Sequence, residues 1–178
     1  VLLSTTVDGV HYKVDEPRPF TKKMKSHKEG GAGVVYEIVV YAHKDKVAAL
    51  HGPYPAGTND KTVFEKKLKK MIEDKQGARG NQFRTIADDG YFSKAFINTL
   101  SFRNEFDPKD LSYYKDRALS RHEKFNGLTK TYKILRSSFR HDHTKGNPEY
   151  KFPCHKAVVE AIVVTLQYQL DLGLKRLF

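Results

Sequence analysis

Cysteine is nearly missing from this chain: Cys154 is the only one among 178 residues. One thiol can form neither an internal disulfide nor a cysteine-cluster zinc site, and it fits a reducing compartment. No signal peptide is visible. Long apolar runs are missing too. The most apolar late stretch, Ala157 to Leu166, carries Glu160 and is too short to span a bilayer, so no membrane partner is expected. There is no internal repeat and no low-complexity tract. His141 and His143 flank Asp142, but they lack the His-x₃-His spacing of a helical zinc site. The aromatic-rich strand motifs of RNA-binding domains are also absent. Acid is in short supply against base, 21 residues to 32, giving a formal charge of +11 and a pI near 9.6. That balance favours a polyanionic partner; its plainer reading is a lysine-rich solvated surface.

What remains is enough for one domain with a real core, residues 1–178. The chain starts at Val1 inside an apolar, strand-like run, so a fragment missing an N-terminal domain is expected. Thr5 to Val14 alternates and reads as a strand. Asp15 to Gly33, bracketed by Pro and Gly and dense in base, reads as a loop. Val34 to Ala42 is a second strand and Val47 to Leu50 a third, joined as an antiparallel hairpin. His51 to Asn59, with two prolines and two glycines, reads as loop. Asp60 to Asp74 is an amphipathic helix through Phe64, Leu68, Met71 and Ile72, broken over Gln76 to Gly80. Arg84 to Ala87 is a short strand. Ser93 caps a short helix with Phe96, Ile97 and Leu100 on one face, and Ser101 to Phe106 is a candidate edge strand. From Lys109 one long helix runs through Leu111, Tyr114, Ala118, Phe125, Leu128, Tyr132, Leu135 and Phe139. His155 to Leu172 is the last helix, stopped by Gly173. Strands first, then alternation, then helices predict a mixed α/β sheet covered by helices.

Three acidic residues stand out. Asp8 sits in a β-branched strand that packing alone would not give a carboxylate. Asp88 lies at the carboxyl end of a strand, where open α/β sheets place ligand sites. Glu123 lies on the long helix, beside Asn126 and Gly127 at positions three and four further on. A glycine there costs roughly 1 kcal/mol relative to alanine, a defect explained if something approaches the backbone. Three converging carboxylates repel unless a cation lies between them, and hard oxygen ligands suit Mg²⁺ or Mn²⁺. With a basic surface, the natural substrate is a phosphodiester. Taken singly, each has a plainer reading: an edge aspartate, a turn at Asp88-Asp89-Gly90, a solvated helix face. His122 falls within the apolar stripe, where a phosphate contact and a core histidine fit equally.

The chain resembles the DDE-superfamily endonuclease domain of PIF/Harbinger-type transposases, related to bacterial insertion-sequence transposases. The resemblance rests on Val7-Asp8-Gly9-Val10-His11, Ser26-His27-Lys28, Val35-Tyr36-Glu37-Ile38, Gly52 to Asp60 (GPYPAGTND), Ala87-Asp88-Asp89-Gly90-Tyr91, Arg121-His122-Glu123 with Asn126-Gly127, and Ile134-Leu135-Arg136 with Phe139 to Asp142. These pieces keep family order and cover almost the whole chain. They imply an RNase H-like fold, with three antiparallel strands followed by parallel ones and helices on both faces. They also imply a catalytic, metal-binding triad of Asp8, Asp88 and Glu123. The second aspartate falls on Asp88 of Asp-x-Gly-Tyr, with Asp89 as the alternative. The spacing 123 − 88 = 35 is close to that of such enzymes. Asp60 matches a recurrent family position and reads mainly as a helix N-terminal residue favoured by the dipole, with a secondary, supporting role at the site as the alternative.

The implied activity is phosphoryl transfer assisted by two divalent ions, cutting transposon ends and joining them to target DNA. Asn126 would orient Glu123 or a phosphate, and Gly127 would leave room for the DNA backbone. Arg18, Lys22, Lys23, Lys25, His27 and Lys28 are the candidate DNA-backbone contacts. The resemblance further implies nuclear action with either a separate, N-terminal DNA-binding region or a Myb-like accessory DNA-binding protein, and a homo-oligomer is a further expectation. The rival reading is a domesticated, non-catalytic DNA-binding or protein-interaction module on the same fold.

Overall fold

A computed structural model describes residues 2–16, 20–79, 83–91, 97–99, 109–140 and 152–177. At its centre is a mixed sheet. Strand β1 (Leu2–Lys13) runs antiparallel to β3 (Gly31–Tyr41), and β3 antiparallel to β4 (Val47–Pro55). On the other side of β1, β5 (Phe83–Ala87) runs parallel to it, and β6 (Ile97–Thr99) parallel to β5. The order is therefore β4-β3-β1-β5-β6, with the two-residue β2 (Lys25–Ser26) also on β3.

Every residue of β3 from Ala32 to Val40 is buried, as its nearly unbroken apolar sequence requires of a strand covered on both faces. Alternation decides which side chain goes where. Val34, Tyr36, Ile38 and Val40 join Val10 and Tyr12 of β1 in one cluster. That cluster is covered by Phe125 of α3 (Lys109–Thr129) and by Val159, Ile162 and Leu166 of α5 (Pro153–Asp171). Val39 and its cross-strand partner Val7 face the other way. They pack with Phe64 of α1 (Asp60–Lys66) and with Leu68 and Ile72 of α2 (Leu68–Arg79). Helices thus cover both faces. Among the described residues no helix is long and apolar enough to cross a membrane.

Five expectations are corrected. The segment His51 to Pro55 is not loop but the second half of β4. Its two prolines are tolerated because β4 is an edge strand, and the pairing with β3 shifts register between Val35 and Glu37. The helix expected over Asp60–Asp74 is two, parted at Lys67 (φ −143°, ψ −51°). Phe64, Leu68 and Ile72 keep their common face across the break. The break expected over Gln76 to Gly80 is absent as far as Arg79, where α2 ends. Ile97 lies in a strand rather than a helix; apolar runs that short do not distinguish the two periods. Ser93, Phe96, Leu100 and Ser101 to Phe106 lie outside the described residues. Finally, the long helix stops at Thr129, whose hydroxyl donates back to Asn126 O (2.7 Å). After a short α4 (Lys133–Arg136), Phe139 bridges Val14 of the sheet. Leu135 and Phe139 are buried as their spacing predicts, but by a returning chain.

Candidate functional site

The register of β1 on β5 builds the site. Its last pair is Thr6↔Ile86. Asp8 and Asp88 each come two residues later, 8 − 6 and 88 − 86, so Asp88 lies just past the carboxyl end of β5 and Asp8 in the middle of β1, where its pairing with β5 has ended. Asp8 is half-buried. Its Oδ1 accepts from Gly9 N (2.8 Å) and its Oδ2 from Asn126 Nδ2 (2.8 Å). Asp88 is exposed, and its Oδ1 accepts from Gly90 N (3.1 Å), an Asx turn.

Asp60 is the third carboxylate here. Asn59 caps α1 by accepting from Lys61 N (2.9 Å), which presents Asp60 in the first turn. A β-carbon on Gly9 would stand 3.4 Å from Asp60 Oδ1, and one on Gly90 3.0 Å from Asp60 Oδ2 and 3.2 Å from Asp88 Oδ1. Gly90, where a β-carbon would crowd both carboxylates, leaves the room in which Asp60 and Asp88 approach one another. Burial pushes the Asp8 carboxyl above its ordinary pKa, and the charges of Asp88 and Asp60 push the same way. Asp60 is raised by burial and then by Asp88. Lys28 and, for Asp8, the Gly9 amide pull these groups back down. Such mutual repulsion among hard oxygen ligands is the chemistry that a divalent cation relieves, and in donor chemistry Asp8 and Asp88 fit the one or two carboxylates that Mg²⁺ takes beside water and phosphate oxygens.

Glu123 is not brought into that group. Its side chain is exposed on α3, and among the described residues no three His, Cys, Asp or Glu side chains are arranged to hold a metal ion. Asn126, three residues further on, does reach Asp8. His122, Asn126 and Thr129, spaced i, i+4 and i+7, meet Thr6, Asp8 and Tyr12 on one face of β1. His122 Nδ1 lies 2.7 Å from Thr6 Oγ1, Asn126 Nδ2 2.8 Å from Asp8 Oδ2, and Tyr12 OH 2.7 Å from Thr129 Oγ1. A polar ladder, beside the apolar packing of Phe125, registers this helix on the strand. Glu123 stands about 60° around the helix from Asn126, on the flank of the ladder. Asn126 therefore serves Asp8 rather than Glu123. His122 is wholly buried and its pKa is lowered by burial to about 3, so it is a neutral core histidine and not a phosphate contact. Gly127 is exposed, with nothing within 4 Å of where a β-carbon would be.

The basic stretch is held near the site. Ser26 Oγ lies 3.1 Å from His11 Nδ1, Glu29 pairs with Lys130 of the α3 end (2.7 Å), and Gly57 N donates to Lys23 O (2.8 Å). Lys22, Lys23, Lys25, His27 and Lys28 are exposed. Arg18 lies outside the described residues, as do His141, Asp142 and His143. One feature is illegible in the sequence: Glu37 and His51, both buried, meet at 3.1 Å on the Gly9 face of the sheet. Burial raises the Glu37 pKa, and His51 opposes that shift. A charged residue in the middle of VVYEIVV was the available signal; its partner sat in what read as loop. Comparison with protein-family models, curated proteins and solved structures finds no match to this chain.

Proposed function

We propose that the chain is the nuclease core of a DDE-type transposase with an RNase H-like fold, cutting DNA phosphodiesters at a carboxylate site where β1 passes the carboxyl end of β5. The observation that carries this reading is the β1–β5 register, which makes neighbours of Asp8 and Asp88 although eighty residues separate them in sequence (88 − 8). A sheet of three antiparallel strands followed by parallel ones, helices on both faces and the net charge of +11 support it. Divalent Mg²⁺ or Mn²⁺, when bound, would supply activation of the attacking hydroxyl and charge stabilisation of the leaving oxygen. Asp8 and Asp88 would hold it, with Asp60 adjacent. Glu123, one helical turn from Asn126 and free in solvent, would complete the set by a side-chain rotation, which exposed residues make within nanoseconds. Lys22, Lys23, Lys25 and Lys28 would neutralise backbone phosphates without reading bases.

The exposed position of Glu123 favours a second reading, a DNA-binding module on the same fold that no longer cuts. One experiment separates the two. With Mn²⁺, the chain should nick supercoiled DNA, and Asp8→Asn, Asp88→Asn and Glu123→Gln should each abolish nicking while DNA binding persists. Nicking that survives all three substitutions sinks the proposed site. Binding without nicking, the same in wild type and variants, favours the non-catalytic module.

A further inference from the structure

We infer that Asn126 is the positioning residue of the Asp8 carboxylate and that it sets the affinity of this site for a divalent cation. The inference rests on the metal-dependent reading above. Asp8 uses one lone pair of Oδ2 on Asn126 Nδ2 and one of Oδ1 on Gly9 N, each at 2.8 Å. A carboxylate oxygen has two lone pairs, so one on each oxygen remains for a cation while the group is fixed against rotation. Both donors are neutral. They hold the ionised carboxylate, against the burial that disfavours it, without cancelling the charge that a metal needs; a lysine in place of Asn126 would cancel it.

Packing alone does not select this amide. Asn126 is 9% exposed, and its Oδ1 is buried with no hydrogen-bond partner among the described residues. A buried acceptor left unpaired is costly. The arrangement is tolerated at a position where the donor half of the amide is committed to Asp8. The rungs on either side, His122 with Thr6 and Thr129 with Tyr12, fix the height of Asn126 against the strand. Residues that orient metal ligands typically change affinity by about 10–100-fold when removed.

The test is Mn²⁺ binding to the full chain by calorimetry, beside thermal unfolding with and without Mn²⁺. Wild type should bind, and Asp8→Asn should not. Asn126→Ala should weaken binding at least about tenfold, equivalent to about 1.4 kcal/mol, with nicking recovered at saturating Mn²⁺. Tyr12→Phe, which breaks the next rung without touching Asp8, should lower the Tm yet keep the Mn²⁺ affinity within about twofold. Asn126→Asp keeps the shape and replaces the donor by a like charge. Its Tm should fall without metal and rise on Mn²⁺ by more than that of wild type. Asp8-dependent binding that Asn126→Ala leaves unchanged, or an Asn126→Asp chain with no added response to Mn²⁺, overturns the inference and spares the metal reading. Absence of any Asp8-dependent binding overturns both.

Discussion

Thr6 Oγ1 and His122 Nδ1 meet at 2.7 Å in a fully buried site, and the Thr6 hydroxyl also donates to Val40 O (3.3 Å). A hydroxyl has one proton, so the oxygen of Thr6 accepts from Nδ1–H and His122 is the Nδ1-protonated, neutral tautomer. Because burial lowers its pKa to about 3 from the ordinary 6.5, the unfolded chain binds a proton there that the folded chain refuses. The stabilisation it confers is present above pH 6.5 and is lost as pH falls toward 3. The stability difference between wild type and His122→Phe should therefore shrink by up to about 1.4 kcal/mol per pH unit below 6.5. Urea midpoints at pH 7, 6, 5 and 4 measure it; a constant difference contradicts the neutral, buried assignment.

Asp60 predicts an opposite effect. Its folded pKa is raised, by burial and then by Asp88, so its contribution is present below the ordinary value of 3.8 and lost as pH rises through the folded pKa. At neutral pH its charge opposes folding. Asp60→Asn should raise the Tm in EDTA, and the gain should diminish in Mn²⁺ if the carboxylate faces a cation. Differential scanning fluorimetry with and without metal reads both.

Gly127 combines a helix-interior position with open space. Gly127→Ala should stabilise the fold by about 1 kcal/mol, since the methyl meets nothing within 4 Å and alanine is the better helix former. If DNA approaches the backbone here, the same variant should bind DNA more weakly in fluorescence anisotropy. Tighter folding with unchanged DNA affinity would leave the glycine a tolerated defect and nothing more.

Gly52 is required for a different reason. Its φ is +135°, and a β-carbon would stand 2.8 Å from Cδ1 and 3.0 Å from Cγ of the buried Tyr36 ring. Gly52→Ala should cost about 1–3 kcal/mol from backbone strain alone, with the Tyr36 clash added. Chemical denaturation is the measurement, and a neutral substitution would show that β4 can shift away from β3.

The sequence by itself determined what is local. Alternation in Thr5 to Val14, the apolar run of Val34 to Ala42, and the i, i+4, i+8 spacing of Phe64, Leu68 and Ile72 each report a period of the backbone. They need no knowledge of the partner surface. The same locality explains the misses. Phe139 kept a helical spacing but is buried by a returning strand-like segment. HGPYP looked like loop because an edge strand's tolerance of proline depends on which side is unpaired. What only the tertiary structure decided is who meets whom. Asp8 finds Asp88 through the parallel register of β1 and β5, Asn126 turns to Asp8 rather than Glu123, and Glu37 finds His51 across a shifted hairpin. Each of these meetings depends on how separated elements are registered against one another, and that register is fixed only by the packing of the whole core.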